Sequence, residues 1–268
     1  MSDGDRREAI TGHDVPDVVS VSTTTFREDL FAGKVALVVG GTGGIGAAIA
    51  DSFATLGAVV TITGATLDDV NAVRNGADFR CRDAVALDVR DQHSIVALIG
   101  DLPRLDILVN CAGVIRRDAE HDADVFADVI NVNLNGTMRL CGAARERLKA
   151  AQGAIVNTAS MLAYHGGARV PAYSASKGGV VQLTKSLAIA YAADGIRVNA
   201  VAPGWVRTSF TQALQDDSER SAAILVRTPL GRWAEPADIA GAVVFLCSPA
   251  ARFVTGVVLP VDGGYLAM

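Results

Sequence analysis

The chain has 268 residues, half of them hydrophobic and a fifth charged, with a formal net charge of −5. That acidic balance argues against a nucleic-acid partner, which needs a basic face. The longest apolar runs, such as 240–247, are far too short to span a bilayer, and the polar opening lacks the apolar stretch of a signal peptide. Cys81, Cys111, Cys141 and Cys247 are scattered without a CxxC pair. They read as reduced core thiols of a cytoplasmic protein, with no metal site and no disulfide frame.

Residues 1–29 carry charges, Gly12, Pro16 and the run Ser22-Thr23-Thr24-Thr25, and are expected to form a poorly ordered arm ahead of one domain over 30–268. From Lys34 the apolar pattern alternates between short continuous runs and helical spacing. A strand over 34–39 is followed by a helix over 45–56, a strand over 58–63 and a helix over 67–74. Next come a strand over 84–87, a helix over 91–99 and a strand over 105–110. Strands over 154–158 and 196–200 flank a helix over 172–192, and a strand over 257–261 closes the set. Buried runs separated by helices mark a sheet covered on both faces. The expected fold is a doubly wound Rossmann-type α/β domain with a mostly parallel seven-stranded sheet.

The first strand runs into Gly40-Gly41-Thr42-Gly43-Gly44-Ile45-Gly46, and a helix follows. In that setting glycines let the backbone approach a pyrophosphate, while the helix N-terminus offers unpaired N–H groups. Two registers fit: Gly41, Gly43 and Gly46, or Gly40, Gly44 and Gly46. Thr42 and Ile45 belong to the same candidate cradle. The end of the second strand selects the dinucleotide, an acid favouring NAD and an arginine NADP. Thr63-Gly64-Ala65-Thr66 supplies neither, so NAD and NADP both stay open. Asp88, after the third strand, is a candidate adenine contact or a simple turn residue.

Ser160 is followed by Tyr173 and Lys177, thirteen and seventeen residues on. A spacing of four puts Tyr173 and Lys177 on one helix face. Carbonyl reduction needs an oxygen polarised and protonated as hydride arrives. A phenol of ordinary pKa about 10 does this poorly unless a nearby ammonium acidifies it. Lys177 is expected to tune Tyr173 and hold the nicotinamide ribose, with Ser160 holding the substrate oxygen.

Together these residues resemble the short-chain dehydrogenase/reductase family from Lys34 to the C-terminus. The resemblance selects the Gly40, Gly44, Gly46 register and implies a homotetramer packed through two long helices, over 123–149 and 172–192. It implies that Asn110, in Asn110-Cys111-Ala112-Gly113, braces the sheet beside the cofactor. It also implies that Asn133 is a fourth catalytic member, supporting a proton relay behind Lys177. Pro203, Gly204, Val206 and Thr208 resemble the segment that touches the nicotinamide end. The segments 111–117, 159–162, 166–171, 220–225 and 231–233 are similar to 2-deoxy-D-gluconate 3-dehydrogenases, which implies a sugar-acid substrate. Arg117 and Arg169 are then candidates for its carboxylate, and His165 for the pocket wall. Two alternatives remain: a 3-oxoacyl thioester reductase of the same family, and a dinucleotide-binding regulator that does no chemistry.

Overall fold

The computed structural model describes residues 25–76 and 79–268. Most of the expected N-terminal arm, 1–24, lies outside the described residues. Seven strands form one sheet: β1 (Val35–Val39), β2 (Val59–Gly64), β3 (Asp83–Ala86), β4 (Ile107–Asn110), β5 (Ala154–Thr158), β6 (Arg197–Pro203) and β7 (Val258–Val261). Their order is β3-β2-β1-β4-β5-β6-β7, and every pairing is parallel. The expected parallel sheet is therefore parallel throughout.

Period-two alternation divides each strand between two cores. Ala36 and Val38 of β1 face the first core, which contains Ile49 and Phe53 of α1 (Gly44–Thr55) and Ile239 and Val243 of α9 (Pro236–Cys247). Leu37 and Val39 face the second, with Ile95 and Ile99 of α3 (Gln92–Asp101). Leu140 and Leu148 of α5 (Gly136–Ala151) and Leu187 of α6 (Pro171–Tyr191) complete that side. A strand apolar on both faces needs helices on both, which is why these strands read as unbroken apolar runs. The shorter helices are α2 (Leu67–Arg74), α4 (Ala123–Ile130), α7 (Gln212–Gln215) and α8 (Ser218–Val226). Among the described residues, no helix is long and apolar enough to cross a membrane.

The single helix expected over 123–149 is interrupted. Residues Asn131–Asn135 form a π-helical turn between α4 and α5. A widened turn of this kind leaves the regular hydrogen-bond ladder and re-aims a side chain, a device found often at functional sites. Here it holds Asn133. The strand order turns back between β1 and β4, so the C-terminal strand ends there open a crevice, the usual ligand place of a doubly wound sheet.

Candidate active site

The dinucleotide end is built by steric necessity. Gly40 has φ +79°, and a Cβ there would lie 2.6 Å from the Ala112 nitrogen. A Cβ on Gly46 would lie 2.0 Å from the Gly40 carbonyl oxygen. Gly44, at φ +53°, faces Thr208, whose methyl would be 3.2 Å from an added Cβ. The Pro203–Thr208 segment is thereby brought onto the glycine turn. At the start of α1 no side chain caps the helix and no acid occupies the first turn. Its leading N–H groups are thus left for an anion, as a pyrophosphate requires.

Asn110 turns its amide into the sheet. Its Nδ2 donates to Asn157 Oδ1 at 2.9 Å, and Asn157 Nδ2 donates to Thr184 Oγ1 at 3.0 Å. These bonds tie β4, β5 and α6 together. Asp88 lies at the rim, its carboxylate accepting from Arg90 at 2.9 Å, and Arg90 also reaches Asp128 at 2.8 Å. Arg90 beside it holds the Asp88 carboxyl below the ordinary range.

Strand β5 ends at Thr158, and Ser160 caps the short 3-10 turn Met161–Ala163 by accepting from the Leu162 nitrogen at 3.2 Å. Helix α6 opens with Pro171 in its first turn, so Tyr173 sits at the helix entrance and Lys177 one turn further on. The Lys177 ammonium lies 5.6 Å from the centre of the Tyr173 ring and donates to the Thr158 carbonyl at 2.6 Å. A Cβ on Gly113 would meet Asn133 Oδ1 at 3.4 Å and Lys177 Nζ at 3.7 Å, so the glycine keeps that corner clear. Asn133 is fully buried. It accepts from the Val114 nitrogen at 2.8 Å, donates to the Val114 carbonyl at 2.9 Å and donates to Ser176 Oγ at 3.1 Å. The four residues singled out from sequence thus gather at one end of the sheet.

The expected acidification of Tyr173 is corrected by the fold. Burial pushes the phenol pKa up, with Ser160 pulling it partly back and Glu120 raising it further. Lys177 does not figure among these influences. The same dry pocket drives its own pKa down to about 8. Desolvation penalises both charged forms at once.

Sequence reasoning missed Glu120. It lies on the short 3-10 turn Ala119–His121 and is 1% exposed. Its carboxylate accepts from the Arg116 nitrogen and from the Tyr173 nitrogen, each at 2.8 Å. The second bond satisfies one of the free N–H groups at the α6 entrance. A buried carboxylate therefore pins the phenol's own backbone to the loop that leaves β4.

The candidate substrate residues form the rim. Asp118, at φ 69°, pairs with the Arg169 guanidinium, and its amide donates to the Arg169 carbonyl at 2.9 Å. Arg169 holds the Asp118 carboxyl below its ordinary range, and Arg117 and Arg220 act in the same direction. Arg169 is thus paired to Asp118, whereas Arg220 of α8 pairs with Asp217 at 3.3 Å. His165 sits against Tyr265, with ring centres 5.9 Å apart, and Trp205 meets the same ring edge-on at 6.4 Å. Sequence reading did not single out Trp205. Its only sequence signal is its place directly after Pro203-Gly204.

A family model described as enoyl-(acyl carrier protein) reductase matches residues 40–266. The chain is 44% identical over 250 residues to 2-dehydro-3-deoxy-D-gluconate 5-dehydrogenase of Pseudoalteromonas atlantica, covering 87% of this chain and 96% of that protein. It is 43% identical over 251 residues to cis-4-hydroxycyclohexanecarboxylate dehydrogenase of Sinomonas cyclohexanicum, covering 90% and 99%. A solved Beutenbergia cavernae structure, provisionally described as an NAD(P)-dependent gluconate 5-dehydrogenase with bound NADP, superposes with a TM-score of 0.82. It is 42% identical, with 90% of this chain and 100% of that one covered. With 227 of its residues under the family model and relatives matched over almost their whole length, the chain belongs to the short-chain dehydrogenase/reductase family.

Proposed function

We propose that this enzyme interconverts a secondary alcohol and its ketone on a sugar acid or a similar small carboxylate, using NAD or NADP. The observation that carries the proposal is the gathering of Ser160, Tyr173 and Lys177 beside a glycine turn whose leading N–H groups are uncapped. Gly40, Thr42, Gly44, Ile45 and Gly46 would cradle the pyrophosphate. Pro203, Gly204, Val206 and Thr208 would hold the nicotinamide end, and Lys177 its ribose. The dinucleotide, when bound, gives or takes the hydride.

The residues of the chain handle the oxygen. Ser160 holds it by a hydrogen bond, and Tyr173 delivers a proton to it in reduction or removes one in oxidation. Burial keeps that phenol protonated at neutral pH, which arms it as the donor for ketone reduction. Asn133 fixes the Val114 peptide behind Lys177 and supports the proton relay from there. Asn110 acts at a distance, as the brace of β4. Arg169, paired to Asp118, and Arg117, which bears on the same acid, stand at the rim as the groups to take a substrate carboxylate. The relatives' named substrates, a deoxygluconate and a cyclohexanecarboxylate, both carry one.

We further infer a cytoplasmic homotetramer. The exposed Phe126 and Met138 along α4 and α5, and Ile189 on α6, supply apolar surface for helix packing between subunits. The test of function is a turnover screen with NADH and NADPH over keto sugar acids, cyclic keto acids and 3-oxoacyl thioesters. Reduction of the small keto acids is expected. Turnover confined to thioesters would overturn the substrate class, and cofactor binding without any turnover would overturn the enzyme reading.

A further inference from the structure

The geometry points to Asp69 as the residue that selects the dinucleotide, by taking the adenosine ribose hydroxyls in place of an acid that β2 lacks. The inference rests on the dinucleotide reading above and deepens it.

The acid that binds those hydroxyls in a doubly wound sheet stands at the end of the second strand. In this chain that place is Gly64, which has no side chain. The space is not empty. A Cβ on Gly64 would lie 2.8 Å from the Thr42 methyl and 3.0 Å from Asp69 Cβ. Asp69, five residues later in sequence, therefore covers the spot where an acid at 64 would begin. Thr42, on the glycine turn, forms the other side of the same gap.

Asp69 is held in that place. Its Oδ2 accepts from the Thr66 nitrogen at 3.0 Å and the Thr66 hydroxyl at 2.8 Å, and its own nitrogen donates to Thr66 Oγ1 at 3.1 Å. All these carboxylate bonds fall on Oδ2. The side chain is exposed, so Oδ1 can accept from a ligand hydroxyl. The start of α2 favours the negative charge, and Asp68 beside it adds a second.

A ribose hydroxyl donates to a carboxylate, whereas the 2′-phosphate of NADP is repelled by it. A phosphate here would need a guanidinium. The residue after Gly64 is Ala65, and Gly43 leaves the glycine turn without a cation. Arg74 and Arg90, on neighbouring segments, are paired to Asp83 and to Asp88 and Asp128. The same feature that leaves the sequence silent, a glycine at the end of β2, makes room for the acid that decides.

Direct titration of the full-length protein with NADH and with NADPH, followed by nicotinamide fluorescence, tests this. Wild type is expected to bind NADH at least tenfold more tightly. Asp69→Asn keeps the side-chain shape and is expected to shrink that ratio at least tenfold, mainly through tighter NADPH. Ala65→Arg, which leaves the Asp69–Thr66 contacts alone, should also tighten NADPH. A wild type that binds NADPH as well as NADH overturns the inference, as does an unchanged ratio in Asp69→Asn. A wild type that binds neither dinucleotide overturns the cofactor reading itself, a different result from either.

Discussion

Glu120 gives the sharpest structural prediction, because its carboxylate is 1% exposed and its two bonds go to backbone N–H groups of catalytic-site segments. Glu120→Ala leaves the Arg116 and Tyr173 amides without their acceptor. A buried donor left unpaired costs about 1–3 kcal/mol, so two of them cost about 2–6 kcal/mol. Against a total stability of about 5–15 kcal/mol this is a large fraction. At about 2–4 °C per kcal/mol for a chain of this size, it corresponds to a fall in melting temperature of about 4–24 °C. Glu120→Gln keeps one acceptor oxygen and should lose roughly half as much.

The same variant moves the chemistry. The Glu120 charge raises the Tyr173 pKa, as burial does, while Ser160 lowers it. Lys177, over the ring, and Cys111, which bears on Lys177, are the other titratable groups in this corner. An anion beside a phenol disfavours the phenolate, so its removal lets the phenol ionise more readily. The rising limb of alcohol oxidation should therefore move to lower pH in Glu120→Gln. Thermal melting and the pH profile of kcat/KM are the assays. A variant that melts like wild type, or a limb that stays put or moves upward, refutes the reasoning.

Other perturbations follow from the same geometry. Lys177 titrates at about 8 in the fold against 10.5 when free. Between those values the unfolded chain binds more protons, so this lysine makes wild type gain stability as pH rises through the window. The melting difference between Lys177→Met and wild type should accordingly shift in wild type's favour from pH 7 to pH 10, by about 3 kcal/mol at full extent. Gly46→Ala drives a methyl to 2.0 Å from the Gly40 carbonyl. It should cost about 1–3 kcal/mol and abolish NADH and NADPH binding measured by fluorescence. Arg169→Ala removes an exposed pair with Asp118. Melting should be unchanged, while KM for keto acids rises with little effect on kcat.

The legible parts of this molecule are those where local spacing and tertiary environment agree. Tyr173 and Lys177 could be read because a separation of four fixes a shared helix face wherever the helix lies. The β1 glycine turn could be read because strand, turn and helix are contiguous. The helix over 123–149 was read as unbroken because its polarity pattern does not mark the π turn at 131–135. Only packing against Val114 and Ser176 shows why Asn133 needs it. Glu120 looks like a surface charge between Ala119 and His121, and its burial depends on Tyr173, fifty-three residues away. The Arg169–Asp118 pair spans fifty-one residues and was invisible for the same reason. The acidified phenol was a two-body argument. The fold added a third influence, desolvation, and it prevailed.

The central claim is that the Tyr173 hydroxyl exchanges the proton during hydride transfer, and Tyr173→Phe tests it most directly. Removing one oxygen from a side chain whose backbone is pinned by Glu120 should leave dinucleotide affinity within a few-fold of wild type. Turnover on the best substrate of the screen should fall by roughly 100- to 10,000-fold. Turnover within a few-fold of wild type, with dinucleotide binding intact, would contradict the claim.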